Sequence, residues 1–269
     1  MKPVFDAARV KLGARKPHPA LRAKLPMLEN YLDLAKLPDA PPAQSFKAPS
    51  GYPMWANDQY GDCTCAAYAN KALDWCTAAR LPFTLTTQQV LQAYAAITGF
   101  NPVTGANDNG ASAPQVLEYC RTQGIGGHKI EAYAFINPNS PTLLRIGHNL
   151  FGGLYFTLDM PAAWQQQTNG GTWFVPESGT ETGPGVPGSW GGHAVDCYGY
   201  DESYFYVPSW TLPLAVTVQA VGVYGDLIAV LMGPDWAQPG KVCPTGFAYQ
   251  DLKSDLGQLQ KIYQEVENA

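Results

Sequence analysis

The sequence predicts an α+β fold, helices first and antiparallel strands after, and three observations carry that expectation. Helix signals gather between about residues 62 and 123, and alternation with turn signals takes over after about residue 152. That order segregates the two kinds of element instead of alternating them. The chain has 269 residues, 46% apolar and 12% aromatic, enough to bury a full core as one domain, with or without an arm. Only 14% of residues are charged, and 27 glycines with 23 prolines predict many turns and loops.

The elements are expected in this order. Residues 1–50 are broken by Pro3, Pro17, Pro19, Pro26, Pro38, Pro41, Pro42 and Pro49, and carry five basic residues within 11–24. They read as an extended Pro-rich N-terminal arm packed on the domain or on a partner, with one or two helical turns between Leu25 and Leu37. Residues 51–269 form the domain. Asp62 as N-cap, followed by Ala66, Ala67, Ala69, Ala72, Leu73 and Trp75, predicts a helix over 62–79. A second helix follows Thr86-Thr87, with Val90, Leu91, Tyr94 and Ile97 on one face; a third runs from Pro114 to Gln123, with Gly124 just past its end. His193, Val195 and Cys197 alternate with Ala194, Asp196 and Tyr198, as in a half-buried strand. Asp201-Glu202-Ser203 reads as a turn into an antiparallel neighbour, Tyr204–Val207. Leu214–Val223 and Asp226–Met232 predict a further strand pair around Tyr224-Gly225, and Leu252, Leu256, Leu259, Ile262 and Val266 a last amphipathic helix.

Composition excludes several functions. A net charge of -5 with no long basic run argues against a nucleic-acid partner. No stretch approaches the roughly 20 apolar residues that cross a bilayer, so no membrane partner is expected. The N-terminus lacks a signal-peptide core, which makes cytoplasmic the expected location, or a virion if the gene is phage-borne. The six cysteines at 63, 65, 76, 120, 197 and 243 read as mostly reduced thiols in a chain large enough to need no staples. Cys63-Thr64-Cys65 has one intervening residue, and no CxxC pair or histidine cluster completes a ligand set. Neither a metal nor a cofactor is expected. Cys76, Cys120 and Cys197 read as core thiols, His128 as a loop or strand-edge residue, and His18 and His148 carry no role.

Two segments carry chemistry. In Gly61-Asp62-Cys63-Thr64 a cysteine opens a helix, where unpaired N–H groups and the helix dipole favour the thiolate. The same N–H groups can receive an oxyanion. In Trp190-Gly191-Gly192-His193-Ala194-Val195 a histidine opens a strand after two glycines that allow another backbone or a substrate close approach. Cys63 and His193 lie 130 residues apart, a separation suited to a helix-borne thiol meeting a strand-borne base.

Over about residues 50–240 the sequence resembles the papain-like cysteine peptidases, more narrowly a bacterial and phage group with Asn-Asp-x-x-Gly-Asp-Cys-Thr and Gly-Gly-His-Ala-Val boxes. His193–Tyr200 reads His-Ala-Val-x-x-x-Gly-Tyr, and Asp108-Asn109-Gly110, Val116–Tyr119 and Gly124-Ile125 follow the family's order. The resemblance implies a helical half packed on an antiparallel β half, with a cleft between them. It implies Cys63 as nucleophile, His193 as base and Asn57, six residues before Cys63, as oxyanion donor. A competing register sets Gln59 against Cys65, which puts the thiol a half-turn inside the helix. Where the family has Asn-Ser-Trp-Gly, this chain has Pro208-Ser209-Trp210-Thr211. The orienting Asn is replaced by proline, which leaves Ser209, a backbone carbonyl or water to hold His193, or nothing. Trp210 would shield the pair, and Gly192 would shape the site.

Two classes of function follow. The first is a cysteine-dependent hydrolase of peptide or amide bonds, weak or inactive through the missing third member, with a peptide or protein substrate. The second is a non-catalytic scaffold of the same fold, a structural or binding component of an assembly such as a virion or shell, which contacts its protein partners through the arm. A carbohydrate or cell-wall-peptide binder is a weaker third.

Overall fold

Local signals bound the principal helices. The computed structural model describes residues 5–31, 37, 39–238 and 241–246. In chain order it contains β1 (Ala14–Arg15), α1 (Pro19–Arg22), β2 (Gln44–Ser45), α2 (Cys63–Ala78), α3 (Thr87–Thr98), β3 (Ala111–Ser112), α4 (Ala113–Thr122) and β4 (Ala132–Ile136). There follow α5 (Pro141–Phe151), β5 (Leu154–Met160), α6 (Trp164–Gly170), β6 (Thr172–Trp173), β7 (Gly191–Cys197), β8 (Gly199–Tyr200), β9 (Tyr204–Ser209), β10 (Leu212–Thr217), α7 (Val218–Tyr224) and β11 (Gly225–Met232). α3 starts in a capping box between Thr86 and Gln89 and stops at Gly99, whose φ of 75° is the left-handed cap a glycine accepts freely. At the start of α4 the Gln115 side chain accepts from the Ser112 amide at 3.1 Å. Asp62 is the N-cap of α2 by position only, since its side chain makes no capping hydrogen bond.

Helix α2 is the axis of the molecule. Fourteen of its sixteen residues are buried, Asn70, Lys71 and Asp74 among them, and its small side chains let neighbours approach on every face. Strands β4-β11-β5-β7 form a four-stranded antiparallel sheet. Strands β2-β8-β9-β10-β6 form a second sheet, antiparallel except for the short β10–β6 pairing. β7 is buried along its length after Gly192 on both faces, not half-buried as its alternation predicts, because α2 lies against one face.

The expected strand pair over 214–232 is corrected. Residues 218–224 form α7, and the strands on either side enter different sheets. The segment is rich in valine, which favours strands, but Thr217 accepts from the Ala220 amide at 3.1 Å and starts a helix. The buried residues Ala220, Val221 and Tyr224 then share one helical face. The amphipathic helix expected over 252–266 lies outside the described residues.

The arm contributes to the core it covers. Leu28 is fully buried, the Phe135 amide donates to the Pro26 carbonyl at 2.7 Å, and β2 pairs with β8. Residues 28–30 make the single short helical turn described between Leu25 and Leu37.

Buried charge locks α2 to β7. Lys71 and Asp196, both fully buried, form an ion pair, and Lys71 also donates to the Cys197 carbonyl at 3.2 Å. Asp74 accepts from the Ala48 amide and the Tyr52 hydroxyl, at 2.8 and 2.9 Å. Burial, with Asp196 nearby, pushes its carboxyl well above the usual range.

Candidate active site

The nucleophile candidate sits where the helix axis meets the β half. Cys63 is the first residue of α2 and fully buried, and the backbone amides of Ala194, Gly13 and Thr64 face its sulfur closely enough to favour the thiolate. Lys71, eight residues on, reaches Cys197, three residues beyond Ala194. Eight helical residues rise about 12 Å and three strand residues about 10 Å. α2 and β7 therefore run side by side in the same direction, and the start of the helix lies beside His193.

His193 is held at one nitrogen. Its Nε2 lies 2.9 Å from Ser209 Oγ, while its Nδ1 is buried without a hydrogen-bond partner among the described residues. Of the alternatives left by Pro208, Ser209 occupies the place. Trp210 stacks on the imidazole with ring centroids 4.4 Å apart and planes 17° from parallel.

The turn that delivers Trp210 is strained. Ser209 pairs with Leu212, so Trp210 and Thr211 form a two-residue hairpin loop, and both have left-handed φ, 47° and 67°. Such loops favour Asn-Gly, and a β-branched threonine there is costly. Thr211→Gly should therefore raise stability by about 1 kcal/mol, seen as a higher melting temperature. An unchanged or lower value would mean that the threonine side chain does compensating work at the turn.

Asn57 is buried in the loop before α2, where Trp55 and Ala56 have φ of 55° and 71°. Its side-chain amide donates to the Tyr60 carbonyl at 3.0 Å. It lines a cavity of about 20 Å³ with His193, Ala194, Ser209 and Trp210, room for about one water. Burial pushes the Asp62 carboxyl well up, with the Asn57 amide working against it. Cys65 is buried inside the helix, and burial raises its thiol well above the ordinary value.

The arm threads the slot between the two halves, which sequence reasoning missed. The Lys11 amide donates to the Asn57 carbonyl at 3.0 Å, the Gly13 amide to the Gly192 carbonyl at 3.1 Å, and the Ala111 amide to the Gly13 carbonyl at 2.9 Å. β1 pairs in parallel with β3. A methyl group on Gly13 would stand 1.8 Å from the Gly61 carbonyl oxygen; one on Gly110 would stand 2.1 Å from the Gly13 oxygen, and one on Gly192 2.0 Å from the Ala14 oxygen. Of the two neighbours the sequence leaves open for the glycines before His193, another backbone or a substrate, the structure shows a backbone, and it is the chain's own. Phe5 packs on Trp190 and Trp210, closing the far end.

Enclosure sets the protonation states. Burial pushes the Cys63 thiol up to about 12 and the His193 imidazole down to about 3. With the arm in place the pair is thiol and neutral imidazole at neutral pH.

This architecture has known counterparts. Xylellain, a cysteine protease from Xylella fastidiosa, superposes with a TM-score of 0.63 over 84% of this chain and 97% of its own, at 15% identity. The digestive procathepsin L2 proteinase of Tenebrio molitor larval midgut gives 0.53 over 86% and 81%, at 12% identity. The cysteine protease and lectin-like domains of Cwp84, a surface-layer-associated protein of Clostridium difficile, give 0.51 over 85% and 57%, at 9% identity. The chain has the papain-like fold. No protein-family model and no curated protein matches the sequence. No described helix is long and apolar enough to cross a membrane.

Proposed function

We propose that this papain-like chain is a cysteine-dependent hydrolase of peptide or amide bonds, held latent by residues 11–15 of its own arm. The carrying observation is that His193 is fixed through Nε2 by Ser209 with Nδ1 uncommitted, beside a helix that opens with Cys63. In this reading the Cys63 sulfur attacks the acyl carbon and His193 takes the thiol proton. Backbone N–H groups at the start of α2 receive the oxyanion, with the Asn57 amide once it turns from Tyr60. His193 then protonates the leaving amine, and water releases the acyl group. Ser209 orients the imidazole and Trp210 shields it.

The buried, uncharged pair in the closed chain also favours the alternative, a non-catalytic scaffold that binds partners in an assembly. One comparison separates the two. A chain whose arm has been displaced should cleave fluorogenic peptide amides and lose that activity completely on Cys63→Ser. Ser209→Ala should lower kcat by about ten- to a hundredfold through imprecise placement of the base, with KM nearly unchanged. No turnover from any arm-displaced chain across pH 5–9 would leave the scaffold reading.

A further inference from the structure

We propose a zinc(II) site on the flank of the helical half, formed by Cys76 Sγ, His128 Nδ1 and Asp235 Oδ2. These three atoms all lie within 4.8 Å of one another. They come from three separate segments: the last turn of α2, the turn after α4, and the turn after β11. The site is independent of the cleft, since Cys76 stands thirteen residues along α2 from Cys63, about 20 Å of helix.

The geometry is that of a chelate. His128 Nδ1 lies 2.7 Å from Asp235 Oδ2 and 4.0 Å from Cys76 Sγ. A thiol–imidazole–carboxylate relay needs the thiol at one ring nitrogen and the carboxylate at the other. Here both face the same nitrogen, so three donors converge on one point. Thiolate, imidazole and carboxylate together suit zinc, which accepts all three in four-coordinate geometry. Cys76 is buried, while the His128 and Asp235 side chains keep 11% and 19% of their exposure, leaving a solvent side for a water as fourth ligand.

Binding displaces the Cys76 thiol proton and any proton held between His128 and Asp235 into solvent.

The test uses the full-length chain carrying Cys63→Ser, stripped with a chelator and dialysed, then titrated with cobalt(II) and zinc(II). One equivalent of cobalt should bind with a thiolate-to-metal charge-transfer band that zinc abolishes, and zinc should raise the melting temperature by mass action. Adding Cys76→Ser should remove the band and weaken zinc by more than about a hundredfold, since even outer-shell partners of a metal site cost 10–100-fold. Asp235→Asn keeps the volume and a hydrogen-bond partner for His128, and should weaken zinc while the metal-free melt stays close to that of its parent. Absence of the cobalt band, its survival in Cys76→Ser, or zinc affinity unchanged by Asp235→Asn overturns the site.

Discussion

Replacing Gly13 by valine is expected to raise the rate at which iodoacetamide labels Cys63 in the full-length chain by about 5- to 150-fold. The slot has no room for a side chain at residue 13. A Cβ at residue 13 would lie 1.8 Å from the Gly61 carbonyl oxygen, a backbone atom of a residue whose own amide donates to Asp108 at 2.9 Å. Overpacking of this kind costs about 1–3 kcal/mol, and where labelling proceeds through opening of the arm, the rate follows the opening equilibrium. The rise should also shift the labelling profile to lower pH. The thiol is up at about 12 because of burial, and removing the arm removes much of that burial. Mass spectrometry should find the label on Cys63, with Cys65 protected inside the helix. Labelling of Cys63 at the wild-type rate in Gly13→Val would mean that the arm does not gate the thiol. Label found mainly on Cys65 would mean that the Gln59 register holds.

The largest effect on stability is expected from Lys71→Met. Removing one partner of a buried ion pair leaves the other charge uncompensated and costs about 3–5 kcal/mol. In a chain of this size each kcal/mol moves the melting temperature by about 2–4 °C, so a fall of roughly 6–20 °C is expected. Adding Asp196→Leu should recover most of it, because no charge then remains unpaired. Equal melting of Lys71→Met and wild type at pH 8 would show that the pair contributes nothing to the lock.

What the sequence reveals and what it hides divide by range. Helix α2 and the starts of α3 and α4 are readable to within a residue or two, α2 from its run of small apolar residues and the other two because neighbours in sequence set their starts, Thr86 with Gln89 and Ser112 with Gln115. α7 is misread because seven residues rich in valine carry a strand preference that packing overrides. Cys63 and His193 stand out through two short boxes. Ser209 is visible only as a neighbour of the proline that displaces the family's asparagine. Lys71 and Asp196 carry a weaker signal, a charge in the middle of an otherwise apolar helix and strand, and their pairing appears only when the two elements lie side by side. The path of Leu12-Gly13-Ala14 depends on Gly61, Gly110 and Gly192, and nothing in the local sequence of the arm announces it. Cys76, His128 and Asp235 are likewise too far apart in sequence for any spacing rule to join them.

The arm's anchorage has a kinetic meaning. Arg22 binds Asp226 at 2.5 Å, and Pro26 and Leu28 are fastened to the β half, so the slot-filling residues hang from a tether of under ten residues. A tether that short holds its end at an effective concentration of about millimolar. Blockade by the arm is therefore indifferent to dilution of the protein. A free peptide of the same sequence, added to a chain whose arm has been displaced, would have to reach millimolar levels to match it. On the proposed hydrolase reading a substrate must win that same local competition, so the intact chain would respond to peptides presented in abundance, or to an event that cuts or pulls the arm, while passing over dilute ones.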